Sequence, residues 1–225
     1  MKKERLLLER PRSLTDLVAE ELRLGIINGQ IELGSNLSEA RIANDLGVSR
    51  TPVREALNKL ETDGLLIVEP QRGSRVFSLE SVDLKKICDA RMYLEMAALE
   101  ESFKSTETQL AGALNACVAE MRASLAANDT GHYQTLDTEF HQHFFTHCGN
   151  EYLADASNIV GVKMAALRNR LFEHAHLLEK SMEEHAQIAK AVSNGDQDCA
   201  KNWLAKNIGR QPGSYWFDLS VKAKE

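Results

Sequence analysis

Apolar positions recur along most of the chain at helical spacing. Leu14, Leu17, Val18, Leu22 and Ile26 predict a first helix over 13–28. Gly29 and the Gly34-Ser35-Asn36 cluster mark a loop. A second helix fits 38–46, with Ser38 as its N-cap, and Gly47 breaks it. A third runs from Ser49 or Thr51 to Asp63, because Pro52 is tolerated in a first turn, and Gly64 ends it. The pattern then changes. Leu65–Val68 and Arg75–Phe77 are short β-prone runs around a Pro/Gly turn at 69–74, which predicts a hairpin. These are the only strands the pattern offers.

From Ser81 onward the pattern is helical again, with segments at 81–103, 106–127, 131–147, 150–173, 177–194, 196–210 and a seventh near 212–221. Breaks fall at Asn128-Asp129, Gly149-Asn150 and Asn194-Gly195. Short connections favour an antiparallel bundle. The expected fold class is mainly α: a small N-terminal domain over 1–77 and an all-α antiparallel bundle of six or seven helices over 78–225, with the boundary at Ser78 to Ser81.

Composition narrows the class. Of 225 residues, 43% are hydrophobic and 27% charged, which suits folded cores and excludes disorder. The longest apolar runs are about four residues, far short of the ~18 a membrane span needs, and the charged start MKKERLLLERPR is no secretory leader. Cys88, Cys117, Cys148 and Cys199 lie far apart, so neither a disulfide framework nor a zinc ribbon is expected. The expectation is a soluble, cytoplasmic protein with no membrane partner. Residues 1–77 carry twelve Lys/Arg against twelve Asp/Glu, whereas 78–225 carry fifteen against twenty-one, the whole of the −6 net charge. All seven histidines lie beyond residue 130. A local basic patch is all that a specific nucleic-acid reader requires.

Residues 39–58, EARIANDLGVSRTPVREALN, assign a mechanical role to each residue type. Ala43 is small where two helices approach, Gly47 allows a tight turn, and Ile42, Leu46, Val48, Val53, Ala56 and Leu57 supply a shared core. Arg50 and Arg54, four apart, project from one face of the third helix. Two arginines near a helix start suit the major groove, where Arg bridges guanine O6 and N7. Ser49, Thr51 and the helix N-terminus suit phosphate. The hairpin with Arg72 and Gly73 at its tip would be a wing, open to close backbone approach. The alternative is a set of ordinary surface arginines on a three-helix domain. The run LGVSRTPVREALNKLETDGLL followed by QRGSRV resembles the winged helix-turn-helix of the GntR family of bacterial transcription regulators over about 13–77. That resemblance implies operator contacts by Arg50, Arg54 and the wing glycine, Gly73, and in some relatives by a second-helix arginine, near which Arg41 stands.

Farther on, polar groups fall on apolar stripes. Asp137 and His141 are four apart and share a face with Phe144, Phe145 and Cys148. His185 keeps step with Met182, Ile188, Ala189 and Val192, and Asn207 with Ala200, Trp203, Leu204 and Ile208. Buried polar groups need partners, and groups converging from three helices could share a zinc, nickel, manganese or iron ion. Taken singly, each also fits a hydrogen-bonded core residue. His132, His143, His147, His174 and His176 read as structural or exposed. Arg91 falls on the stripe of Leu84, Ile87, Cys88, Leu94 and Ala98, where a guanidinium needs an anion, either Glu95 four residues on or an effector carboxylate. Arg168 and Arg170 are further effector candidates, with solvated helix-surface charge as the competing role.

Residues 81–210 resemble the all-helical FCD effector domain of the FadR-like branch, through Arg91–Glu95, Asp137–His141, Gly149–Leu153 and Glu184-His185. The resemblance implies a metal held by one Asp and three His. Asp137, His141 and His185 match, and Asn207 stands in place of the fourth ligand, offering a neutral carbonyl oxygen.

Together these features imply a ligand-responsive repressor. It would pair as a homodimer on a pseudo-palindromic operator and sense a small carboxylate. The rivals are an architectural DNA-binding dimer without effector and a metal-dependent hydrolase; against the latter, no nucleophile–base pair or phosphate loop is found.

Overall fold

The computed structural model describes residues 12–69, 73–78, 81–168 and 175–209. Arg72, Arg170, His174, the part of 78–81 at residues 79 and 80, and the expected helix at 212–221 lie outside the described residues. The chain is mainly helical and divides into two compact units, one ending at Phe77 and the other (apart from Ile27–Gly29) beginning at Ser78.

In the first unit, α1 (Leu14–Ile27) buries Val18, Ala19, Leu22 and Ile26 and leaves Leu14 and Leu17 about half exposed. Polar clamps tie it to α3 (Arg50–Thr62). Thr15 Oγ1 donates to Glu55 Oε2 at 2.7 Å, Arg23 Nη2 to Asp63 Oδ2 at 2.5 Å, and Lys59 pairs with Asp16. Between them lies α2 (Glu39–Asp45), which starts where Ser38 Oγ accepts from the Arg41 backbone N–H at 3.4 Å. Ala43 is buried, and its carbonyl accepts from Val48 N–H at 2.9 Å across the turn. Gly47 there has φ +65°, in the left-handed region that a β-carbon disfavours. Leu46, expected in the core, is 39% exposed, because it is the C-cap residue, where the chain leaves α2 for the turn at Gly47. The inner face of α3 buries Val53, Ala56, Leu57 and Leu60.

The hairpin expected at 65–77 is present as β2 (Leu66–Glu69) and β3 (Gly73–Val76). It is not the whole sheet. Asn36–Leu37 form β1, which pairs antiparallel with the other edge of β3, giving the order β1-β3-β2. Two residues are too few to show alternation, so this strand had no periodic signal.

In the second unit six helices are described: α4 (Ser81–Ser105), α5 (Glu107–Ala126), α6 (Thr130–His147), α7 (Glu151–Arg168), α8 (Ala175–Ser193) and α9 (Gln197–Ile208). Acidic and amide side chains cap the starts. Asp129 Oδ1 accepts from His132 N–H at 2.9 Å, Asn150 Oδ1 from Tyr152 N–H at 3.1 Å, and Asp196 Oδ1 from Cys199 N–H at 3.0 Å. α5 packs on α6 and α8, α8 on α9, and α4 on α6, α7 and α9. The core is apolar and centred on Tyr133, Leu136, Phe140, Phe144, Leu110, Leu114 and Met121, all fully buried. Each such side chain contributes about 1.5–3 kcal/mol by leaving water. The stripe of α6 that supplies four of these also carries Asp137 and His141, so the fold drives both polar groups inward.

Candidate functional site

On the first unit the start of α3 presents polar groups to solvent. Ser49 is its N-cap residue by backbone conformation, but its hydroxyl makes no capping bond. Arg50, Thr51 and Arg54 are exposed. Arg54 does not hang free. Its Nε donates to Glu39 Oε1 at 3.0 Å and its Nη2 to Glu39 Oε2 at 2.9 Å. That bond holds the Glu39 carboxyl below its usual value, against the opposing effect of burial. Arg41 is exposed and lies 3.6 Å from Asp45 one turn on. Gly73 opens β3 with φ +89°, opposite Glu69 in the register.

The second unit builds a buried polar chain. Arg91 Nε on α4 donates to Glu95 Oε1 at 2.5 Å, and Glu95 Oε2 lies 2.6 Å from His141 Nδ1 on α6. His141 Nε2 faces His185 Nε2 of α8 at 3.2 Å, and His185 Nε2 is 3.5 Å from Asp137 Oδ1. Asp137 Oδ2 pairs with Arg168 Nη1 of α7 at 2.6 Å, and the same Nη1 donates to Thr138 Oγ1 at 2.8 Å. Phe140 closes one side, its ring centroid 4.4 Å from that of His185. All six ionisable groups are buried.

Burial sets the protonation states. It lowers His185 to about 4 and His141 well below the usual histidine value, so both rings are neutral near pH 7. Burial pushes Asp137 up, but Arg168 foremost, with His185, His141 and Arg91, outweighs it and holds the carboxyl low. Burial raises Glu95, against the pull of Arg91. With Arg91 on one Glu95 oxygen, the other accepts the Nδ1–H of a neutral His141, which turns the Nε2 lone pair toward His185. This is how an outer carboxylate orients a ligand histidine.

Asp137, His141 and His185 form the one group among the described residues that could share an ion. Their chemistry fits: two neutral imidazoles and a carboxylate, with the facing nitrogens 3.2 Å apart. Ligands ~2.0–2.1 Å from a tetrahedral zinc sit about 3.3–3.4 Å from one another. Asn207 is buried, but its Nδ2 donates to Glu184 Oε2 at 3.2 Å.

Beside His141 lies a cavity of ≈ 40 Å³ between α4, α6 and α7. Arg91 and Arg168 flank it, and Leu94, Phe145, Val160 and Met164 give it an apolar wall. Arg168, for which solvated surface charge was the competing role, is buried, since the Asp137 carboxylate inside the bundle demands a cation. Arg91 meets Glu95, the partner expected four residues on, and also lines the cavity. His132 is exposed, and His143 and His147 are half-buried outside the cluster. Sequence periodicity missed the Glu95–His141 bond and the Thr138–Arg168 bond, whose partners sit on different helices.

Residues 14–76 match the family model described as bacterial regulatory proteins, gntR family, and residues 86–210 match the FCD domain. Over 215 residues the chain is 28% identical to the gluconate operon transcriptional repressor of Bacillus licheniformis, spanning 92% of this chain and 88% of that protein. It is 26% identical over 206 residues to the HTH-type transcriptional repressor RspR of Escherichia coli K12, spanning 87% and 90%. Among solved structures it resembles E. coli McbR/YncC, with a TM-score of 0.79, 22% identity and coverage of 96% and 100%.

Proposed function

Starting from a chain that belongs to the GntR family of bacterial regulatory proteins and carries an FCD domain, we propose a repressor whose helical unit senses a small carboxylate. It is a DNA-binding transcription regulator and not an enzyme, which sets the hydrolase reading aside. No described helix is long and apolar enough to cross a membrane.

The observation that carries the sensor reading is the buried Asp137–His141–His185 cluster, whose His141 lines a cavity flanked by Arg91 and Arg168. Asp137, His141 and His185 would hold a divalent ion, zinc and nickel suiting the imidazoles best. Such an ion supplies an open coordination position for an anionic oxygen. Asn207, whose Nδ2 donates to Glu184 Oε2, would offer its Oδ1 as the fourth ligand. Arg91 and Arg168 orient the carboxylate by charge-assisted hydrogen bonds. A water position needs about 10–15 Å³, so a cavity of ≈ 40 Å³ favours a small acid or one that widens the site on entry. A relative named for a gluconate operon agrees with a carboxylate effector.

On the DNA side, Arg50 and Arg54 read base edges, Ser49, Thr51 and Arg41 meet phosphates, and Arg72 and Gly73 serve the wing. Two copies would pair through the helical unit, whose α4 and α7 expose Tyr93, Tyr152 and Ile159. A homodimer would meet a pseudo-palindromic operator.

The test is operator affinity of the full chain, on a duplex selected from a randomised library, with zinc and a panel of small carboxylates including gluconate. The expected result is that one acid weakens binding at least tenfold, and that His141→Ala abolishes metal uptake and this response while binding the duplex as the parent does. A parent protein whose affinity no acid shifts would leave the architectural dimer standing. An unchanged metal content and response in His141→Ala would remove that residue from the site.

A further inference from the structure

The bond between Arg54 and Glu39 joins the two helices of the helix-turn-helix, and nothing in the reading above uses it. Glu39 is the first residue of α2, fifteen positions upstream of Arg54, and both of its oxygens are engaged, at 3.0 and 2.9 Å. The grip is side-on. It occupies Nε and one proton of Nη2, and leaves Nη1 and the outer edge of the guanidinium facing solvent; the Arg54 side chain stays 64% exposed. That outer edge is the pair of donors that matches guanine O6 and N7. Glu39 also lies within the field of Arg50, so one carboxylate sits among both exposed arginines of the recognition helix.

We propose that Glu39 is a positioning residue for base readout: it fixes the plane and direction of the Arg54 guanidinium and leaves the terminal edge to guanine. This rests on the reading that Arg54 meets a base. An isolated surface pair contributes little to folding. Its value here lies in preorganisation, because a long side chain already ordered in the free protein loses less freedom on docking. The carboxylate also repels phosphates, so it disfavours non-specific binding while supporting the specific contact. A carboxylate that merely blocked Arg54 would do the reverse, and its removal would tighten specific binding.

The probe is the full chain on the duplex selected above, and on single-base variants of it that replace each guanine in turn. Glu39→Ala should lose about tenfold in discrimination at one base position of each half-site. Affinity for unrelated duplex should hold or rise, and thermal unfolding should not move. Glu39→Asp, which keeps the charge on a shorter arm, should restore part of the discrimination. In an Arg54→Ala background, Glu39→Ala should remove no further discrimination. The proposal is overturned if Glu39→Ala discriminates as the parent does while Arg54→Ala does not. It is also overturned if the Glu39→Ala loss persists without Arg54, which would make Glu39 itself a base reader. If Arg54→Ala retains full discrimination at every position, the base-reading role of Arg54 falls, and this inference with it.

Discussion

Replacing Arg168 by methionine tests whether the buried site is held together by charge. The Arg168 and Asp137 side chains are 6% and 7% exposed, with 2.6 Å between them, so solvent does little to screen the pair. Removing one partner of a buried pair costs about 3–5 kcal/mol, because the other charge stays buried. Asp137 keeps His185 at 3.5 Å, which places the loss near the lower end. At a urea slope of ~2 kcal/mol/M, the unfolding midpoint should fall by about 1.5 M at pH 7. Both tryptophans, Trp203 and Trp216, lie beyond residue 78, so fluorescence follows the second unit without interference from the first.

The pH dependence gives the sign. Arg168 is the main influence holding the Asp137 carboxyl low, so the pair stabilises the fold above the ordinary carboxylate range, and that stability is lost as pH falls through the lowered value. Without Arg168, burial pushes the carboxyl up, and Asp137 takes a proton at a higher pH. The deficit of the variant should therefore shrink between pH 7 and about 4.5, as the carboxylate of the variant is neutralised. An unchanged midpoint at pH 7, or a deficit that stays constant on acidification, would refute the idea that this ion pair organises the site.

Three other perturbations address neighbouring features. His185 is lowered to about 4, so below its ordinary value of ~6.5 the unfolded chain binds a proton that the fold refuses; this group's contribution to stability should fall by about 3 kcal/mol from pH 6.5 to 4, and His185→Phe should make the slope shallower than the parent's in urea titrations across the range. Phe140→Ala, at a fully buried position against the His185 ring, should cost about 3–5 kcal/mol by the same fluorescence assay, and a loss under 1 kcal/mol would mean that the ring does not wall the cluster. Gly47→Val, at φ +65°, should abolish duplex binding while leaving the tryptophan-monitored transition in place; retained binding would show that the turn tolerates another backbone path.

Periodicity exposed the stripes because a helix repeats its faces locally, and Asp137, His141, His185 and Asn207 each announced themselves as polar residues on apolar faces. What it could not show is which stripes meet. Glu95 read as the i+4 partner of Arg91, and it is, but its second oxygen reaches His141 across 46 positions of sequence. Leu46 keeps the helical spacing of an inner residue, but it is the C-cap of α2, where the chain leaves the helix, and it is exposed. A charge balance over the stripes would have gone further than spacing did. The inward faces of α4 and α6 bring two carboxylates, Glu95 and Asp137, against one guanidinium, Arg91, with the histidines neutral. A buried carboxylate left over needs a cation. Arg168 directly follows Met164-Ala165-Ala166-Leu167, an apolar run that ends on a positive charge. Demanding neutrality inside the bundle makes that arginine the partner of Asp137; a divalent ion held there would add two charges to an otherwise balanced cluster, and the proposed effector would then be an anion.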